Sequence, residues 1–93
     1  MNYEKGARVI ALLDAKGGVV RSFGPGTYVG DEVPPADVHA MFHDYSFPNP
    51  RIDLDSGETV WGFQCWWGPE QQIKERFPDP WVWETVSVDR LKD

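Results

Sequence analysis

Arg51-Ile52-Asp53-Leu54-Asp55-Ser56-Gly57-Glu58-Thr59-Val60-Trp61 is the stretch on which the fold reading turns. Ile52 and Leu54 alternate with Arg51, Asp53 and Asp55. A period of two sends alternate residues to opposite faces of a strand, so one face is apolar and the other charged. Ser56-Gly57 follows Asp55 as a tight hairpin connection, where glycine supplies the backbone freedom that a short reversal needs. On the return arm Thr59, Trp61, Phe63, Cys65 and Trp67 share one face, and Val60, Gly62, Gln64 and Trp66 share the other. Apolar groups on both faces predict one strand, running through Trp67, in the middle of a sheet.

Upstream, short strands are expected over Arg8 to Leu13, Val19 to Phe23 and Thr27 to Val33. Lys16-Gly17-Gly18 and Gly24-Pro25-Gly26 punctuate them, each able to reverse or sharply bend the chain. Pro34-Pro35 ends this run, because proline donates no ladder hydrogen bond and suits the first turn of a helix. That helix is expected over Ala36 to Tyr45, with Val38, Met41, Phe42 and Tyr45 forming one apolar stripe, and Phe47-Pro48-Asn49-Pro50 breaks it.

Downstream, Gly68-Pro69-Glu70 reads as a second helix start, with Glu70 favoured by the helix dipole and placed to pair with Lys74. Ile73 and Phe77 face the core, Pro78 and Pro80 stop the helix, and a last strand follows over Trp81 to Val88. Five or six short strands with one or two helices predict a mainly β single domain, 1–93. A small SH3-like, partly open barrel is the most economical closure; an α+β antiparallel sheet with helices on one face is its rival. The order of elements excludes alternating βαβ units and a parallel Rossmann-like sheet.

Composition narrows the function classes. The formal net charge is -6, with 15 acidic and 9 basic residues, and the basic residues are scattered singly. Such a chain repels a phosphate backbone and has no polybasic segment for anionic lipid, so neither nucleic acid nor a membrane surface is expected as a partner. No apolar run approaches the length of a membrane span, and Met1 to Arg8 has no apolar signal core, which predicts a cytoplasmic protein. Cys65 is the single cysteine, so an intramolecular disulfide is excluded and no cofactor is expected.

Gly24-Pro25-Gly26-Thr27-Tyr28-Val29-Gly30-Asp31-Glu32-Val33-Pro34-Pro35, Asn49 to Gly57, and Val60-Trp61-Gly62-Phe63-Gln64-Cys65-Trp66-Trp67-Gly68-Pro69-Glu70 together resemble a family of small uncharacterised bacterial and phage proteins. The likeness covers about half the chain and implies a compact module; it brings no activity or catalytic residue with it.

Several groups are candidates for chemistry. Trp66 and Trp67 are adjacent on a strand, so they cannot enter the same core and one is expected at a surface or rim. An exposed indole offers a flat apolar platform with one donor. Tyr28, Asp31 and Glu32 lie in a glycine-flanked segment suited to an amino-bearing ligand, or simply in a solvated turn. His39 and His43, four apart and beside Asp44, have the spacing of half a zinc site, or make a solvated helix face. Cys65 is a nucleophile only with a histidine nearby and otherwise a small buried hydrophobe; Asp53 and Asp55 are an acid pair or the outer face of a hairpin arm.

The expectation is a non-catalytic module that recognises a protein segment in a groove lined by Tyr28, Trp66 or Trp67, Asp31, Glu32 and Glu70. The alternatives are a phage-type accessory protein that sequesters a small molecule or inhibits a host protein, with Arg8, Arg21, Arg51 and Arg76 as its anion contacts, and a metal- or Cys/His-dependent enzyme.

Overall fold

The computed structural model describes residues 4–35 and 48–92. The helix expected over Ala36 to Tyr45, with His39, His43 and Asp44, lies outside them. In chain order the elements are β1 (Arg8–Lys16), β2 (Val19–Glu32), β3 (Asn49–Leu54), β4 (Thr59–Trp61), β5 (Trp66–Pro69), α1 (Glu70–Arg76), β6 (Val82–Thr85) and a 3-10 turn (Val88–Lys92). The protein is mainly β with one short helix, and the sheet runs β4-β3-β2-β1-β5, every neighbour antiparallel.

β1 and β2 form a hairpin through Gly17 and Gly18, at φ 60° and 79°. A two-residue turn whose twist matches its strands needs positive φ at both positions, which glycine adopts without strain. Gly24-Pro25-Gly26, in contrast, does not end a strand. It lies inside β2, a single strand of 14 residues. Gly24 sits at φ 101°, and the Pro25 carbonyl accepts the Asp55 N–H at 3.0 Å. Pro25 thus joins the ladder through the one group it can still offer.

β2 is the spine of the molecule. Along one edge it pairs with β1; along the other it pairs first with β6 and then with β3. β6 runs parallel to β2, a pairing that the expectation of an antiparallel sheet did not contain. Bulges at Phe23 and Leu13 bring both side chains onto the same cluster as Val9 and Ala11. An extra residue in a strand raises its local twist and bends it.

The hairpin read from Arg51 to Trp61 forms in register: Arg51 opposite Trp61, Ile52 opposite Val60, Asp53 opposite Thr59. Its return arm is shorter than expected, because the strand stops at Trp61 and does not run to Trp67. Gly62 donates to the Pro50 carbonyl at 2.8 Å, the Gln64 side chain takes the Trp61 N–H at 3.0 Å, and Gln64 N–H closes a turn on the Trp61 carbonyl at 2.8 Å. These bonds consume the groups that would have extended the ladder. The return arm is therefore two edge strands, β4 and β5, and the strand with both faces buried is β1.

That short connection also bends the sheet. β4 and β5 are its two opposite edges, yet the four turn residues 62–65 link them. A flat five-strand sheet is about 19 Å across at its usual strand spacing, close to the reach of a fully extended link of this length. The link here is folded into a turn, so the sheet must curl to bring its edges together. It is nonetheless open, since β4 and β5 do not pair.

Curling makes the two faces unequal. The inner cluster gathers Val9, Ala11, Phe23, Tyr28, Ile52, Leu54, Val60 and Val86, with Trp67 and Cys65 packed against it. The outer cluster is Ile10, Leu12 and Val20, covered by Ile73 and Phe77 of the α1 region and by Trp81. α1 places Glu70 in its first turn and Lys74 and Arg76 in its last, the arrangement its dipole favours. A turn containing the cis Asp79-Pro80 bond then leads into β6, all four of whose residues are exposed. Beyond it, Glu58 of the β3-β4 connection accepts from the Ser87 hydroxyl at 2.9 Å and the Val88 N–H at 3.2 Å, fastening the C-terminal turn to the hairpin.

Candidate functional site

Trp66 and Trp67 separate as the strand geometry requires. Trp67 lies opposite Ala11 and faces the inner cluster, where its ring stacks on Tyr28 with centroids 5.6 Å apart and planes 19° from parallel. Trp66 lies opposite Leu12 on the outer face and remains 75% exposed. A tryptophan this open beside a packed helix is unusual, since burying such a ring removes a large apolar area from water.

Trp66 forms one wall of a cleft of about 450 Å³ between β1, β5 and α1. Leu12, Ala15, Ile73 and Phe77 supply its apolar lining, and Asp14 and Arg76 are its charged groups among the described residues. The volume falls within the range of small-molecule sites. Asp14 is held by Arg21, which donates from Nε at 2.8 Å and again from a terminal guanidinium nitrogen. That bond pulls the Asp14 carboxyl below its ordinary value against a smaller opposing effect of burial.

The acidic residues expected in the groove are engaged elsewhere. Asp31 accepts the Tyr28 hydroxyl at 2.6 Å, which raises the tyrosine's pKa because the bond is lost when the phenol ionises. Glu32 pairs with Arg51 at 3.1 Å, and Arg51 also grips Asp53 at 2.9 Å. Glu70 meets Lys74 at 3.2 Å and Arg8 at 3.6 Å, while Arg8 is bidentate on Asp55 at 2.9 and 2.6 Å. Tyr28 is buried in the inner core. Of Tyr28, Asp31, Glu32, Trp66, Trp67 and Glu70, the structure brings Trp66 and Trp67 to the cleft beside α1. Glu70 instead lines a second hollow across the helix, with Lys74, Trp83 and Thr85.

Cys65 donates its thiol to the Trp61 carbonyl at 3.5 Å, and burial pushes its pKa up to about 12. A thiol held that high has almost no nucleophilic thiolate at neutral pH. Among the described residues no group of three or more His, Cys, Asp or Glu is placed to hold a metal ion, and no helix is long and apolar enough to cross a membrane.

Sequence reasoning missed Asp14, Ala15 and Phe77 as cleft residues and met Arg76 only as one of several anion contacts. A signal for Arg76 was present, because it follows Ile73 by three residues and so flanks the same helix face. Compared with known proteins, the chain matches no family model, no curated protein and no solved structure.

Proposed function

We propose that this chain is a non-catalytic binding module that seats a protein segment in the cleft between Trp66 and α1. The exposure of Trp66 carries the reading: an indole left open over an apolar bed, while its neighbour is stacked in the core, has the form of an interface anchor. Leu12, Ala15, Ile73 and Phe77 offer apolar contacts in the same cleft. The curl of the sheet around β2 supports an SH3-like reading of the fold, and grooves beside exposed aromatic residues suit extended segments on such sheets.

The test is selection of binders from a displayed random-peptide library, followed by affinity measurement on the folded protein and its Trp66→Ala variant. Loss of about thirtyfold or more is expected, the scale of an anchor residue. Selected peptides that bind the variant as well as the parent would sink the assignment.

A further inference from the structure

The charges around the cleft point to the kind of group it receives. The chain carries a net charge of -6, yet the described lining of the cleft holds one carboxylate, Asp14, and one cation, Arg76. Among the described residues Asp14 is the one carboxylate lining the cleft, and Arg21 already occupies it. Lys16 and Arg90 lie close enough to act on Asp14 through space, and Glu84 acts on Arg21 in the same way. Arg76 is thus the charged group of the cleft lining, among the described residues, that no carboxylate holds.

Arg76 differs from the other arginines of known pairing. Arg8, Arg21 and Arg51 each hold a carboxylate, whereas the Arg76 side chain makes no hydrogen bond or ion pair among the described residues. It stands in the last turn of α1, three residues after Ile73 and next to Phe77. A guanidinium is a fork of donors matched to a carboxylate, and it gains most where apolar walls limit its hydration.

We propose that the cleft takes a carboxylate carried beside a flat apolar group, the ring lying against Trp66 and Phe77 and the carboxylate on Arg76. This rests on the Trp66 cleft being the binding site. The same chemistry is found in a free aromatic acid and in the C-terminal residue of a peptide ending in an aromatic side chain. Asp14 does not repel such a group, because Arg21 neutralises it.

Titration of the isotope-labelled full chain, followed by NMR at the Trp66 indole and the Leu12 and Ala15 amides, tests the assignment. The probes are 3-phenylpropionate against 3-phenylpropylamine, and the peptide Gly-Gly-Ala-Phe with a free against an amidated C-terminus. The acids are expected to bind about tenfold tighter than their partners, the scale of one charge-assisted hydrogen-bonded contact. Arg76→Gln should erase that preference while leaving the core resonances unmoved, and added salt should shrink it. Binding of the free-ended peptide alone assigns the site to a chain terminus, and binding of the free acid alone assigns it to a small molecule. If amine and amide move the Trp66 signals as strongly as the acids, the carboxylate assignment falls while the cleft stands. If no probe moves them, the carboxylate assignment falls as well, and the peptide selection above decides the cleft separately.

Discussion

Trp66 and Trp67 share a peptide bond and almost nothing else. Trp67 is stacked on Tyr28 inside a curl to which all five strands of the sheet path contribute; Trp66 stands beside Leu12 on a face covered by one helix. The difference lies in the covering element. α1 has seven residues and is about 10 Å long, while the nine residues of β1 beneath it extend about 30 Å. The inner face is closed by the sheet curling on itself, and the outer face runs out of helix before it runs out of apolar surface. Trp66 and Trp83 are the large side chains it leaves exposed.

The largest expected effect comes from truncating the two indoles in turn. Trp67→Ala removes a ring packed against the inner cluster and stacked on Tyr28, and should lower unfolding free energy by about 3 kcal/mol. Trp66→Ala removes a ring that is mostly in water and should stay within about 0.5 kcal/mol of the parent. Urea denaturation followed by far-ultraviolet circular dichroism measures both. Equal losses would mean that the two faces are equally packed and that Trp66 is structural.

Two glycines extend the comparison from side chains to backbone. A Cβ on Gly26 would lie 2.7 Å from the Asp53 carbonyl oxygen and 2.9 Å from the Leu54 Cα, both backbone atoms of β3. Neither can move without breaking the β2-β3 ladder, so Gly26→Ala should destabilise by about 2 kcal/mol. On the outer face a Cβ on Gly68 would meet only Ile73, at 3.4 and 3.6 Å, which is ordinary contact with a flexible side chain. Gly68→Ala should change stability by less than about 0.5 kcal/mol in either direction. Thermal unfolding of the two variants gives the contrast directly, and a large loss at Gly68 would show that α1 is seated as tightly as the inner core.

The features legible in the sequence are those set by neighbours in the chain. Alternation over Arg51 to Asp55, the Ser56-Gly57 and Gly17-Gly18 reversals, and the helix after Pro69 all follow from local periodicity and glycine or proline geometry. The features missed are set by partners far away. Gly24-Pro25-Gly26 stays in a strand because Asp55 bonds to Pro25; the arm after Val60 turns because Gly62 meets Pro50; β6 runs parallel because β2 has an edge that β3 leaves free. The site divides in the same way. Opposed tryptophans were required by strand geometry, but which of them stays outside depends on how far α1 reaches. Asp31, Glu32 and Glu70 looked available because Tyr28, Arg51 and Arg8 meet them only in the folded chain.

The smallest effects separate the two faces by pH. Asp14, beside the cleft, has a folded pKa pulled below its ordinary value of 3.8 by Arg21, and Asp55 is lowered likewise by Arg8. Their contribution to stability is fully present above that ordinary value and is lost as pH falls through the lower folded values. Tyr28, in the inner core, has a pKa raised above 10 by its bond to Asp31. Its contribution has the opposite sign: present below pH 10, and lost as pH rises through the higher folded value. Urea midpoints measured across pH should therefore slope down at both ends. Asp14→Asn should flatten only the acid limb, and Tyr28→Phe, which keeps the ring over Trp67, only the alkaline one. Cys65, whose thiol burial pushes up to about 12, slopes the same limb and is untouched by that change. An alkaline limb as steep in Tyr28→Phe as in the parent would mean that the hydroxyl does not read the inner face, leaving the stacked ring itself as what holds Trp67 inside while Trp66 stays out.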